Sequence, residues 1–425
     1  MQQIGPTGLS PASSIAIIGG GVVGAANALA LACEGYRVTM FEPDDIGAGT
    51  SSGNAGGIVT GAVTPTATPG VLRSMPGYVF DRNGAAVLRP AYAFKILPWL
   101  LRFIAAGRAS RVAAISQALQ PLVAGSMQAH LALADAAGAR DRIRTVGWLK
   151  VYKSAAGFAD TALDRELMTR HGVNFSVLSA GQVAELEPNI DPAAYTCGLF
   201  QPESGFVNYP LALSQAYFAG ARERGAQHLR ESVREIRPTE SGGVVVVTGQ
   251  ARRQFDAVLV AAGAWSKPFA SQIGDKVYLD TERGYHISLQ PTGTDLLQRP
   301  VGFPEQHCVL SPMHDGIAIV SIDELAGLVA PPDYRRIRAL LPFARRVLPG
   351  IAEQTVQREW MGFRPSTPDS LPVIGRSPRC RNVFYAFGHG HLGLTLSAIT
   401  AQWVANLVSG RANGVDMTPY RIERF

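Results

Sequence analysis

Apolar and polar positions change their period several times along this chain, and each change predicts a new element. Ile15-Ala16-Ile17-Ile18 is a short unbroken apolar run, the pattern of a buried strand. Val22 to Cys33 is alanine-rich and predicts a helix, and Tyr36 to Phe41 returns to a strand, which completes a βαβ unit. Residues 47–58 are too glycine-rich for the interior of a helix or strand and predict a shaped loop. From Pro65 to about Arg111 the chain breaks into proline-punctuated apolar pieces, among them Ala93 to Ile104. Ala113 to Ala137 predicts one long helix, Val146 to Tyr152 a strand and Thr161 to Arg170 a second helix. These elements abandon the βαβ rhythm, so they belong to a second domain.

Pro210 opens a helix from Leu211 to Arg224, followed by a strand near Ser232 to Ile236 and a hairpin from Val244 to Phe255. Ala257 to Ser266 predicts a fully buried parallel strand capped by small residues. Glu282 to Leu289, His307 to Leu310 and Ile317 to Val320 predict successive strands of an antiparallel sheet. Pro332 to Leu348 predicts a helix with a solvated basic face, Arg335, Arg336, Arg338, Arg345 and Arg346. Trp360 to Gly375 reads as a proline-stiffened loop, and Gly388 to Thr395 as a loop that leads into a helix ending near Val408.

The turn after the first strand carries chemistry. Gly19 permits the tight turn, Gly21 lets the backbone approach a pyrophosphate, and Gly24 lets the helix pack on the strand. Val22 and Val23 open that helix, whose N-terminal N–H groups and dipole face the phosphates. Glu42, at the end of the second strand, stands where a ribose-binding acid belongs, and an acid there favours a free ribose hydroxyl over a 2′-phosphate.

Composition narrows the field further. At 425 residues, with 47% hydrophobic and 17% charged, the chain is expected to form two well-buried domains. A net charge of +6 comes without a basic run interleaved with aromatics, so no nucleic-acid partner is expected. Cys33, Cys197, Cys308 and Cys380 lack metal or disulfide spacing and fit reduced thiols in the cytoplasm. The leader Met1 to Ser14 has no signal-peptide character, and no apolar run reaches the ~18 residues of a membrane span. Ala93 to Ile104, with Lys95, Pro98 and Arg102, could instead lie in a membrane interface, or pack as core or lid.

Together the fingerprint, Glu42 and the Thr50-Ser51-x-x-Asn54-Ala55-Gly56 loop resemble the D-amino-acid oxidase-like flavoenzymes, most closely the bacterial D-amino-acid dehydrogenases. The resemblance covers most of the chain from Ile15 onward. It implies an α/β fold: a discontinuous FAD-binding, two-dinucleotide-type Rossmann-like domain (1–66, 203–268, 358–425) with an α+β substrate domain on an antiparallel sheet (67–202, 269–357). It also implies that Thr50, Ser51, Asn54, Ala55, Gly56 and Gly57 lie against the isoalloxazine. Val233 would hold the adenine through its backbone, and Ala262, Gly263 and Trp265 would pass beneath the cofactor. Covalent relatives attach flavin through a cysteine where this chain has Gly362, or through a histidine near the N-terminal loop that this chain lacks, so noncovalent FAD is expected.

The remaining candidates surround the substrate. Arg364, in its expected loop, would grip a carboxylate by two parallel hydrogen bonds, as the equivalent arginine does in the family; an ion pair with Asp369 or another acid is the rival role. Gly390, His391, Leu392, Gly393 and Thr395 would present helix N–H groups to reduced flavin, and His389 would face flavin or pocket. His389 and His391 lack a third ligand at matching spacing, so no metal is expected. Tyr285 and His286 would hold the far end of the substrate or cover it. The expected reaction is oxidation of a D-amino acid or a cyclic imino acid such as a hydroxyproline. Hydride passes from the α-carbon to flavin N5, and the imine hydrolyses to a 2-oxo acid. The acceptor is expected to be a quinone or another non-oxygen carrier, with the enzyme cytoplasmic or peripheral on the inner membrane. The alternative is sarcosine or glycine oxidase-like chemistry with dioxygen.

Overall fold

The computed structural model describes residues 8–73, 86–240, 242–291 and 295–425. The start of the leader, residues 1–7, and residues 74–85 of the proline-punctuated stretch lie outside them.

Strand Ser14–Ile18 lies inside a six-stranded sheet ordered Val373–Arg376, Val383–Phe387, Ala257–Val260, Ser14–Ile18, Arg37–Phe41, Gln227–Leu229. Neighbours run parallel except for the first pair. Ile15 and Ile17 pack into one core, Ala16 and Ile18 into another, which is why the run does not alternate with polar residues. Helix Val22–Cys33 follows and packs on Pro210–Glu223 and Gly393–Ser409. Its close approach to the strand depends on Gly24, where a Cβ would sit 2.0 Å from the Gly19 carbonyl oxygen.

The expectation that no apolar run is long enough for a membrane span is corrected by Gly390–Ser409, which is apolar and long enough by composition alone. It is 67% buried within the protein, as a central core helix. The long helix predicted over Ala113 to Ala137 runs Ala109–Ala136 and packs beside it. His130 joins three helices, with Nδ1 2.8 Å from the Tyr217 hydroxyl and Nε2 2.8 Å from the Leu394 carbonyl.

The second large sheet has nine strands. Its order begins Val356–Ser366, Asp280–Leu289, Gly316–Leu325, Cys308–Met313 and Val301–Phe303, then continues through Trp148–Tyr152 and Cys197–Gln201 to Ser176–Ser179. Ala86–Leu88 pairs in parallel with Gly316–Leu325.

Two expectations need correction. Arg364 is not in a loop: it lies in strand Val356–Ser366, opposite Glu282. Pro365 suggests a loop, yet this is an edge strand, where a missing N–H leaves no ladder bond unmade. The expected boundary between 357 and 358 therefore cuts this strand. Pro332 to Leu348 is also not one helix but two short ones, Arg335–Arg338 and Leu341–Val347. Pro342 fits only a first turn, so a new helix starts there.

Burial holds His130 neutral, with its pKa pushed down to about 4, and does the same to His286, also to about 4, and His389, to about 3. The unfolded chain takes up these protons below about pH 6.5 and the folded chain does not, so their contribution is complete above that pH and is lost as pH falls toward 4. Thermal melts should show Tm falling across that window. His130→Leu should lower Tm at pH 7 and flatten the acid limb; an unchanged limb would remove His130 from the account.

Candidate active site

A single cavity of about 1030 Å³ connects the N-terminal glycine turn to the edge of the large sheet. Gly19 turns with φ 106°, and the Glu42 carboxylate closes the turn by accepting from the Gly20 N–H (2.8 Å) and the Asp44 N–H (3.1 Å). Ser51 Oγ accepts from the Val22 N–H at 2.9 Å, tying the helix start to the second glycine loop. Thr50 Oγ1 donates to the Phe363 carbonyl and accepts from its N–H, both at 3.1 Å, which fastens that loop to the Arg364 strand. Thr395 Oγ1 donates to the Gly57 carbonyl at 3.1 Å and accepts from the Val59 N–H at 3.2 Å.

Most residues expected to touch the cofactor line this cavity. They are Gly19, Gly21, Val22, Val23 and Glu42; Thr50, Ser51, Asn54, Ala55 and Gly57; Val233, Ala262, Gly263 and Trp265; and Gly390, His391, Leu392, Gly393 and Thr395. Gly24 and Gly56 do not line it. Gly24 serves helix packing. Gly56, with φ 81°, has no room for a Cβ, which would meet the Val207 carbonyl oxygen at 2.3 Å.

The far end of the cavity is shaped by paired glycines. Gly284 faces Gly362 across the two strands, and the Arg364 guanidinium lies over Gly284, where a Cβ would come within 2.2 Å of Nη2. The Trp360 ring fills the space above Gly362 and Gly53, so a side chain at 362 would strike it at 2.0 Å. His286 stacks on Trp360 (centroids 5.0 Å apart), bonds the Gly53 carbonyl through Nδ1 at 3.2 Å, and is not on the cavity wall. Tyr285 reaches the wall, but its hydroxyl binds Glu324 Oε2 at 2.5 Å and accepts from the Asp333 N–H on the other face of the sheet. Strand alternation forces this split, and neither side chain is free to hold substrate in the expected way. Arg283 is fully buried beside Glu324 and bonds the Gly327 carbonyl, so it cannot reach a ligand. His389 lines the cavity with Nε2 3.0 Å from Thr400 Oγ1.

Arg364 Nη1 donates to Asp323 Oδ1, and His391 Nε2 lies 3.0 Å from the same oxygen. His391 Nδ1 lies 3.5 Å from Glu282 Oε2. Asp369, the acid expected to compete for Arg364, pairs with Arg424 instead. Burial opposes charge on His391, but Asp323 and Glu282 together outweigh it and hold its pKa above the usual histidine range. The cavity wall desolvates Asp323 even though part of its side chain stays accessible, and against this His391 and Arg364 prevail and hold the carboxyl well below the usual range. Glu282 goes the other way, because burial and the negative charge of Asp323 push it up.

Ligand atoms of Glu282, Asp323 and His391 all lie within 4.8 Å of one another, so His391 has the acidic neighbours that spacing alone did not provide. Arg364 already supplies a cation to Asp323, and the group reads as a chain of alternating charges. Asp323 and Glu282 were missed from the sequence. The signal was a carboxylate set among the apolar residues of Gly316–Leu325.

The sequence pattern of the family described as FAD dependent oxidoreductase (DAO) matches residues 14–407. The chain belongs to this family. It is 33% identical to a D-amino-acid oxidase of Bradyrhizobium diazoefficiens, covering 97% of this chain and 98% of that one. It is 30% identical to a D-amino acid dehydrogenase of Phenylobacterium zucineum, covering 96% of each. In fold it is similar to glycine oxidase from Geobacillus kaustophilus, with TM-score 0.75 and 24% identity over 97% of this chain and 99% of that one.

The cavity fits the family's cofactor. Gly263 (φ 54°) and Gly49 meet no atom within 4 Å of an added Cβ, and Gly21 meets only Ser51, so backbone lies open toward the cavity at these points. Gly19 to Val23 would hold the pyrophosphate, Glu42 the ribose, and the 50–57 and 390–395 segments the isoalloxazine.

Gly284→Ala should displace the Arg364 guanidinium without disturbing those segments. Turnover should fall on the order of 100-fold, as for a displaced reacting geometry, with FAD content near normal. Unaltered turnover would show that the guanidinium need not lie over residue 284.

Proposed function

We propose that this enzyme oxidises the Cα–N bond of a free amino acid, a D-amino acid or a cyclic imino acid such as a hydroxyproline. The observation that carries this reading is the Arg364 guanidinium, held over Gly284 on the wall of the same cavity as the dinucleotide fingerprint. A planar fork in that position binds a carboxylate through two parallel hydrogen bonds and so orients the carbon next to it. When bound, FAD would supply the two-electron acceptor for a hydride from the α-carbon. The chain's own residues bind the carboxylate and orient the α-carbon, and burial keeps His389, on the cavity wall, neutral. Trp360, packed into the space at Gly362, leaves no room for the cysteine of covalent relatives and supports noncovalent FAD. The relatives' names divide between oxidase and dehydrogenase, and we favour a quinone or other non-oxygen acceptor, with dioxygen the alternative.

Arg364→Ala tests the reading. It should lower kcat/KM by roughly 30-fold to several thousandfold, with Arg364→Lys recovering only part. The decisive comparison sets the best amino acid against its decarboxylated amine. Wild type should strongly prefer the acid and Arg364→Ala should lose most of that preference; full retention would place the anchor elsewhere.

We further propose that helix Ala93–Ala106 docks the enzyme on the cytoplasmic face of an anionic membrane, close to a lipid-soluble acceptor. Phe94, Leu97, Leu101 and Ile104 share one helical face and are 88%, 45%, 58% and 37% exposed, whereas Ile96, Trp99 and Phe103 are buried on the opposite face. Lys95 and Arg102, the latter over the Tyr278 ring, border one side of the exposed stripe, and Lys267 and Lys276 line a groove beside Lys95. Apolar stripes with basic flanks suit the surface of acidic lipid. The enzyme should co-sediment with phosphatidylglycerol vesicles at low salt and less at high salt, and a Phe94→Asp, Leu101→Asp double variant should not. Wild type that stays in solution at low salt would rule docking out.

A further inference from the structure

Strand Gly316–Leu325 carries two successive acids with opposite surroundings. Glu324 faces the protein core, where it is bonded by Arg89 Nε (2.6 Å) and the Tyr285 hydroxyl, with Arg283 Nη1 3.5 Å away. Asp323 faces the cavity, and its side chain keeps 41% of its surface accessible. Its partners are Arg364, which the proposed function assigns to the substrate carboxylate, and His391, whose other nitrogen points to a Glu282 oxygen that is buried without a hydrogen-bond partner.

An α-amino acid carries a carboxylate and an ammonium on adjacent atoms of its backbone. The Arg364–Asp323 contact is the charge complement of that arrangement, a cation and an anion side by side. A carboxylate that takes two arms of the Arg364 fork, Nη1 among them, displaces the Asp323 oxygen from it. Asp323 then faces the atoms next to the bound carboxylate, and the group of an amino acid that is both that near and cationic is the α-nitrogen.

We propose that Asp323 binds the α-nitrogen of the substrate, so that the resting Arg364–Asp323 ion pair stands in for the zwitterion until an amino acid replaces it. This inference rests on the amino-acid reading of the site. Exchanging one internal ion pair for two substrate pairs leaves the charge of the site balanced. A carboxylic acid that lacks the amine also separates Arg364 from Asp323, but sets a second negative charge beside Asp323 with no cation between the two. The site therefore rejects simple carboxylates and 2-hydroxy acids through an element that repels them, as well as selecting amino acids through one that attracts them. His391, bonded to the same oxygen, keeps Asp323 oriented while Arg364 changes partner.

The test is a comparison of opposite signs on the FAD-loaded protein with Asp323→Asn. Binding of cyclopentanecarboxylate, followed by equilibrium dialysis and by perturbation of the flavin spectrum, should tighten about 10- to 100-fold, because Arg364 is released and the repulsion is gone. KM for the amino acid that best reduces the wild-type flavin should rise about 10- to 100-fold. A merely structural role would weaken both ligands together. Asp323→Glu should restore part of the amino-acid affinity, and Asp323→Ser provides the same comparison if the amide variant loses FAD. Carboxylate affinity that is unchanged or weaker, or an unchanged KM, would overturn the inference while amino-acid oxidation by the wild type stands. Wild-type flavin that no amino acid reduces would remove the functional reading and this inference with it.

Discussion

The site depends on one strand pairing, Asp280–Leu289 against Val356–Ser366, in which glycine stands opposite glycine. Because neither Gly284 nor Gly362 has a side chain, two large groups lie flat on the sheet: the Arg364 guanidinium over the first and the Trp360 ring over the second. Trp360 also covers Gly53, and Thr50 bonds both backbone groups of Phe363, so the strand that carries Arg364, the proposed substrate anchor, also holds the second glycine-rich loop. A Cβ at any of these glycines would strike the guanidinium or the ring that lies over it.

Strand alternation then sorts the charges. On the core side, Glu324, Arg283, Arg89 and the Tyr285 hydroxyl form a closed cluster. On the cavity side, Arg364, Asp323, His391 and Glu282 form an open one. Buried ions are tolerated only when compensated, and both groups are, but with different consequences. In the first cluster every partner is part of the framework. In the second, a small zwitterion can take the place of a partner, so charge balance inside the protein becomes selectivity for a ligand.

Much of the nucleotide end was legible in the sequence because its requirements are local. The tight turn at Gly19, the helix approach at Gly24 and the acid at Glu42 are demands on backbone conformation and spacing that lie within one βαβ unit, and glycine and acid mark them directly. The apolar run at Ile15 to Ile18 likewise announced a strand buried on both sides. Family resemblance brought in the distant cavity residues Val233, Gly263 and Gly390, which no local period could connect to that unit.

The substrate end was less legible because its determinants come together only through strand register. Pro365 suggested a loop, and only the position of its strand at the sheet edge made a proline harmless there. Tyr285 and His286 are adjacent in sequence, and the pleat sends one hydroxyl to Glu324 and the other ring to Trp360. Asp323 and Glu282 read as ordinary charges until antiparallel pairing sets Glu282 opposite Arg364 and brings Gly316–Leu325 alongside. By itself the sequence determined the dinucleotide cradle, since short-range backbone geometry encodes it. Only the tertiary structure decided which charges meet around the substrate, because that follows from register and facing across strands dozens of residues apart.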